Sequence, residues 1–68
     1  MYKYYWNGRL VRKSKSRGNY THAVVRVSKV DGDLYVFGCS SRLDLAQKTL
    51  ETALRVNPDY RIVELEMR

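Results

Sequence analysis

The chain has 68 residues, a net charge of +6 at pH 7 and a single cysteine. That length suits one domain with a small core, so we expect residues 1–68 to form a single small basic domain. One cysteine and one histidine are too few for a disulfide or a structural zinc site, which excludes both forms of stabilisation. The lone thiol and the lack of a long apolar segment predict a cytoplasmic, soluble protein with no membrane partner.

Basic charge is concentrated in the first half of the chain. Residues 1–30 contain eight Lys or Arg and no acidic residue, whereas residues 31–68 contain five basic and seven acidic residues. Clustered cations without intervening acids are typical of surfaces that bind phosphates. The asymmetry predicts a polyanionic partner, which could be DNA, RNA or an acidic protein, because all three would use the same charge.

Residues 2–13 predict a first β-hairpin. The Asn7-Gly8 dipeptide separates two strand-like runs, and both residues tolerate the positive φ of a tight turn. Direct pairing across this turn would join Trp6 to Arg9, Tyr4 to Val11 and Tyr2 to Lys13, with Lys3, Tyr5, Leu10 and Arg12 on the other face. Two interpretations stay open: the rings cap a small core, or Trp6 and Tyr4 form a stacking platform for single-stranded nucleic acid.

The segment from Lys13 to Asn19 lacks hydrophobic periodicity and predicts an exposed loop. Serine and basic residues alternate in it, and such a loop can follow a phosphate backbone or act only as a solvated linker. The hairpin, this loop and one arginine of the next strand supply the predicted nucleic-acid-binding residues, namely Trp6, Arg9, Arg12, Lys13, Lys15, Arg17 and Arg26.

Residues 21–39 predict a longer central hairpin around Asp31-Gly32. A two-residue turn would align Val27 with Val36 and Arg26 with Phe37, whereas a three-residue loop with a bulge would shift the pairing by one. One face would then be aliphatic and suited to cover by a helix, with Ala23, Val25, Val27, Leu34 and Val36. The other face would be mixed and would carry Arg26 among aromatic rings.

A helix and a final strand complete the predicted fold. Ser41 and Asp44 form a capping-box pattern, and an apolar stripe follows at helical spacing, composed of Leu43, Ala46, Leu50, Ala53 and Leu54. Asn57-Pro58 predicts the end of the helix, and residues 61–68 alternate as a strand. The sequence therefore predicts an α+β fold of order ββββαβ, with two hairpins, a C-terminal strand and one helix on one face.

No catalytic constellation is evident in the sequence. His22 and Cys39 are isolated, and nothing pairs a nucleophile with a base, so we expect a non-catalytic protein without metal or cofactor. The favoured function is a small nucleic-acid-binding accessory protein that uses the basic hairpin and loop. The alternative is a protein-interaction module, such as an inhibitor or adaptor, that docks on an acidic protein surface. A weak homodimer held by a strand edge is a further possibility.

The sheet strands followed by GCSSRLDLAQKTLETAL resemble the small arm-type DNA-binding domains of tyrosine recombinases. That resemblance implies a three-stranded sheet with a following helix, and binding to DNA. As a short, basic chain, the protein is also similar to accessory proteins carried by phages and mobile elements.

Overall fold

The computed structural model describes residues 1–15 and 20–68, and it confirms the α+β class and the element order ββββαβ. The elements are β1 (Tyr2–Trp6), β2 (Arg9–Ser14), β3 (His22–Val27), β4 (Leu34–Ser40), α1 (Leu43–Val56), β5 (Arg61–Glu64) and β6 (Glu66–Met67). The strands form two antiparallel sheets of three. We call β2-β1-β6 the N-terminal sheet and β4-β3-β5 the central sheet.

The C-terminal segment belongs to both sheets. Its first part, β5, pairs with β3, and its second part, β6, pairs with β1. Between them, the Leu65 amide donates a hydrogen bond of 2.9 Å to the Thr21 carbonyl. The predicted final strand is therefore present, but it is divided, and it connects the two sheets.

The first hairpin has the predicted turn and a different register beyond it. Asn7 and Gly8 have φ values of 51° and 75°, and Trp6 faces Arg9 as expected. A bulge between Tyr4 and Tyr5 then pairs Tyr4 with Arg12 instead of Val11. The prediction was wrong from this point because an inserted residue moves each later side chain to the opposite face. Arg12 and Lys13 consequently exchange faces.

The central hairpin also departs from both predicted registers near its turn. Val27 pairs with Leu34, and four residues, 29–32, form the loop between the hydrogen-bonded Ser28 and Asp33. The tight two-residue turn predicted for Asp31-Gly32 needs positive φ at both residues. Of these two residues, only Gly32 has a positive φ. The Asp31 carboxylate instead accepts a 2.9 Å hydrogen bond from the Asp33 amide, which stabilises the wider loop.

The helix packs on the opposite face of the central sheet from the one predicted. Gly38, paired with Val24, lies under α1, because a Cβ added there would be 3.3 Å from the Thr49 methyl carbon. Ala46 and Ala53 of the helix are fully buried. Two alanines and a glycine allow this close approach, and the sequence pattern does not distinguish which sheet face such a helix selects.

The aliphatic face is covered from the N-terminal sheet. Its buried centre is composed of Ala23, Val25 and Val63, and the side chains packed against that centre include Trp6, Val11 and Leu65. The first hairpin thus contributes to the core, which is how a chain of this length buries both faces of its central sheet.

The ends of the helix differ in how well they were predicted. The helix ends at Asn57 as expected, but Arg42 is the N-cap and no side chain caps it. The predicted capping box was wrong because Asp44 accepts hydrogen bonds from the Arg42 guanidinium instead.

The apolar stripe of the helix is narrower than predicted, since Leu43 and Leu54 are 49% and 44% exposed. In the described ranges, no helix has the length and apolar content needed to cross a bilayer.

Candidate nucleic-acid interface

Two of the predicted phosphate-binding arginines make contacts within the protein. Arg9 donates a 2.8 Å hydrogen bond from Nη1 to the Gly32 carbonyl at the tip of the central hairpin. The Arg12 guanidinium lies 4.6 Å from the centroid of the Tyr20 ring and beside the Cys39 thiol. Burial raises the pKa of Cys39, and attraction to and hydrogen bonding with Arg12 offset part of that rise. Both arginines therefore tie the first hairpin to the rest of the chain.

Trp6 and Tyr4 pack inward. Trp6 is half-buried against the core centre, and the Arg61 guanidinium lies 5.0 Å from the centroid of the indole. Tyr4 is only 1% exposed and makes an edge-to-face contact with Tyr20, with centroids 5.4 Å apart. These positions favour the interpretation of the two rings as a cap on the core.

The outer face of the N-terminal sheet carries a row of three cations. Lys3 of β1 is paired with Lys13 of β2 on one side. On its other side, Lys3 exchanges backbone hydrogen bonds of 2.8 and 3.3 Å with Arg68. Paired residues of antiparallel strands project to the same face, and neighbouring strands are about 4.8 Å apart, so the row is roughly 10 Å long. We call Lys13, Lys3 and Arg68 the cation row.

The cation row is exposed and only partly neutralised. All three side chains are exposed, and Glu66 is the carboxylate paired with one of them, at 3.3 Å from Arg68. Within residues 1–15 and 20–68, neither lysine of the row forms an ion pair. Like charges directly opposite each other destabilise a sheet. The row is therefore an arrangement that a bound anion would stabilise.

Aromatic and basic residues border the row. Tyr5, two residues after Lys3 in β1, lies under the Arg68 guanidinium, which is 4.9 Å from the ring centroid. Lys15 follows β2 directly and is exposed. Arg17, which the sequence predicted as a phosphate contact, lies outside the described residues. Of the predicted site residues that are described, Lys13 is thus at this face, and Lys15 directly follows the strand that carries it.

Arg26 is at a different place in the molecule. It pairs with Tyr35 in the central sheet, and its guanidinium lies 4.3 Å from the Tyr35 ring centroid and 5.6 Å from that of Tyr60. Sequence reasoning did not select Lys3 or Arg68. Their proximity depends on β6 returning to β1 from the far end of the chain, and no local pattern signals it.

Comparison with known proteins gave no relative. No protein-family model matches the chain, and neither a curated protein nor a solved structure matches it. The similarity to recombinase arm domains stays a prediction. Within the described residues, no three His, Cys, Asp or Glu side chains form a group that could hold a metal ion.

Proposed function

We propose that the protein binds nucleic acid without catalysing a reaction, and that it does so through the outer face of the N-terminal sheet. The observation that supports this most is the cation row, in which Lys13 and Lys3 are paired on adjacent strands and Arg68, directly after β6, is hydrogen-bonded beside Lys3. The sheet holds their backbones in fixed register, so their charges converge on one face. A linear polyanion suits such a face better than a single small anion does.

The binding would be dominated by phosphate contacts. Each lysine or arginine that neutralises a phosphate releases condensed counterions, and this release provides affinity without base information. Lys15, which is exposed and directly follows β2, would add a fourth cation beyond the end of the row. Arg9 and Arg12 have structural partners, so we assign them to the hairpin and not to the phosphates.

The test compares two variants from which the same amount of charge is removed. Lys3→Gln with Lys13→Gln removes two members of the row, and Lys48→Gln with Arg55→Gln removes two exposed cations of the helix. Affinity for a fluorescent 20-residue oligonucleotide, single-stranded or duplex, is measured by anisotropy at about 0.1 M salt. In the first variant two cations no longer neutralise phosphates. At about 0.7 to 0.9 units of slope per phosphate, taken from about 1 M down to about 0.1 M salt, it should bind roughly 25- to 60-fold more weakly.

The control variant should bind almost as tightly as the natural protein because its cations lie on the helix. Equal weakening in both variants would mean that only net charge matters, which would contradict the assignment to this face. No binding to DNA or RNA in either form would contradict the proposal itself. An acidic protein would then be the better partner for the same cations.

A further inference from the structure

A second group of aromatic and cationic side chains lies on the helix side of the central sheet, away from the cation row. Arg26 and Tyr35 are paired across β3 and β4, Phe37 follows on β4, and Tyr60 immediately precedes β5. Gly38 and Val24 place this face on the side covered by α1. We call Arg26, Tyr35, Phe37 and Tyr60 the aromatic corner.

The guanidinium in the aromatic corner lacks a complete set of acceptors. Arg26 is stacked over the rings of Tyr35 and Tyr60, and its Nε is buried without a hydrogen-bond partner. The pKa of Asp31 is lowered chiefly by the hydrogen bond from the Asp33 amide, and the Arg26 charge makes the smallest contribution. No ion pair to Arg26 is found in the described part of the chain. Nε has no exposed surface, so no ligand reaches it. The residue as a whole is partly exposed, so a ligand would accept hydrogen bonds from the terminal nitrogens of the guanidinium, which carry its charge without an ion-pair partner.

The rings themselves are accessible. Tyr35 and Phe37 are 41% and 38% exposed, and both belong to an edge strand with no strand paired on its outer side among the described elements. Phe37 meets Tyr60 edge to face, with centroids 5.4 Å apart and planes at 73°. Because the rings do not stack on each other, a face of Phe37 is free of that contact.

We propose that the aromatic corner binds an unstacked base of single-stranded nucleic acid. The base stacks on Tyr35 or Phe37, and Arg26 donates hydrogen bonds to an acceptor on the base edge or on the adjoining phosphate. A flat ring next to a hydrogen-bond acceptor is the ligand that matches exposed aromatic faces beside an unsatisfied guanidinium. The ligand class rests on the proposed function, but the residues are different, so the two can fail separately.

The experiment uses two oligomers with the same backbone charge. The full chain is titrated with an eight-residue oligothymidylate and with an abasic oligomer of equal length, while NMR follows the ring signals of Tyr35, Phe37 and Tyr60 and the amides of the cation row. Oligothymidylate should shift both groups of signals, and the abasic oligomer should shift only the row. The removal of one stacked base should weaken binding by roughly 5- to 150-fold.

Tyr35→Leu with Phe37→Leu is the matched variant, because it removes both rings and keeps apolar side chains at two exposed strand positions. Its affinity for oligothymidylate should fall while its affinity for the abasic oligomer stays unchanged. A different result in the natural protein is that oligothymidylate shifts the amide signals of the cation row and leaves the ring signals of the aromatic corner unchanged. That result would overturn this inference and leave the proposed function standing. Failure of both oligomers to bind would also overturn this inference, and the titrations with duplex DNA and RNA would then decide the proposed function.

Discussion

Replacement of Trp6 by alanine separates the two interpretations of the aromatic first hairpin. The indole is half-buried against the core centre and lies under the Arg61 guanidinium. Truncation of a fully buried aromatic residue costs about 3–5 kcal/mol. Part of the indole is exposed, so we place the cost for Trp6 just below that range, at roughly 2 kcal/mol. Removal of the cation–π interaction adds about 0.5–1 kcal/mol. We therefore expect Trp6→Ala to lower the free energy of unfolding by about 2–3 kcal/mol.

Such a decrease would be large for this chain. At about 0.05–0.15 kcal/mol per residue, its total stability is roughly 3–10 kcal/mol. The midpoint of thermal unfolding should fall by about 8–24 °C, since each kcal/mol shifts a domain of this size by about 4–8 °C. Circular dichroism is the appropriate signal, because Trp6 is the sole tryptophan and its fluorescence is absent from the variant.

The control is Val30→Ala, which truncates a side chain that is 96% exposed at the tip of the central hairpin. Its free energy of unfolding should stay within about 0.5 kcal/mol of the natural protein. If Trp6→Ala unfolds like the natural protein but binds single-stranded DNA more weakly, the indole stacks on bases and the core-cap reasoning is refuted.

Three further results are expected. Val24→Ala, at a fully buried site under the helix, should lower the free energy of unfolding in urea by about 2 kcal/mol. Leu43→Ala, at a half-exposed site at the helix start, should lower it by less than about 1 kcal/mol. Equal decreases would contradict the packing of the helix described above. The hydrogen bond from Arg42 lowers the pKa of Asp44 below its ordinary 3.8, so the stability gained from this pair is present above that value and is lost as the pH falls through the folded pKa. In thermal melts at successive pH values, Asp44→Asn should lack this part of the acid destabilisation. If the variant loses stability with acid as the natural protein does, the pairing is contradicted. Burial raises the pKa of the Cys39 thiol, so iodoacetamide should modify it more slowly in the native state than in urea, and equal rates would show an accessible thiolate.

Local signals predicted the turns and ends that depend on one or two residues. Asn7-Gly8 has the positive φ values of the expected turn, because both residues accept that conformation without a tertiary contact. The helix ends before Pro58 for a similarly local reason. Both features are determined by the residues that form them.

The register and the packing partners were not predictable in the same way. The bulge at Tyr4 and Tyr5 moves Arg12 toward Tyr20 and Lys13 to the outer face, and no residue type marks its position. Alternation showed that Ala23 and Val25 lie on a buried face, but it does not reveal whether a helix or a second sheet covers that face. The residues of the candidate site depend both on the strand register and on which element covers each sheet face. For that reason the predicted set of site residues changed more than the predicted order of elements did.

The most direct test of the central claim is the salt dependence of duplex DNA binding by the natural chain. If the three cations of the row neutralise phosphates, a plot of log affinity against log salt should have a slope of about −2.7, and about −3.6 if Lys15 also takes part. The slope should become shallower by roughly 1.8 in Lys3→Gln with Lys13→Gln. A slope near zero, or one that this double variant leaves unchanged, would contradict nucleic-acid binding by the cation row.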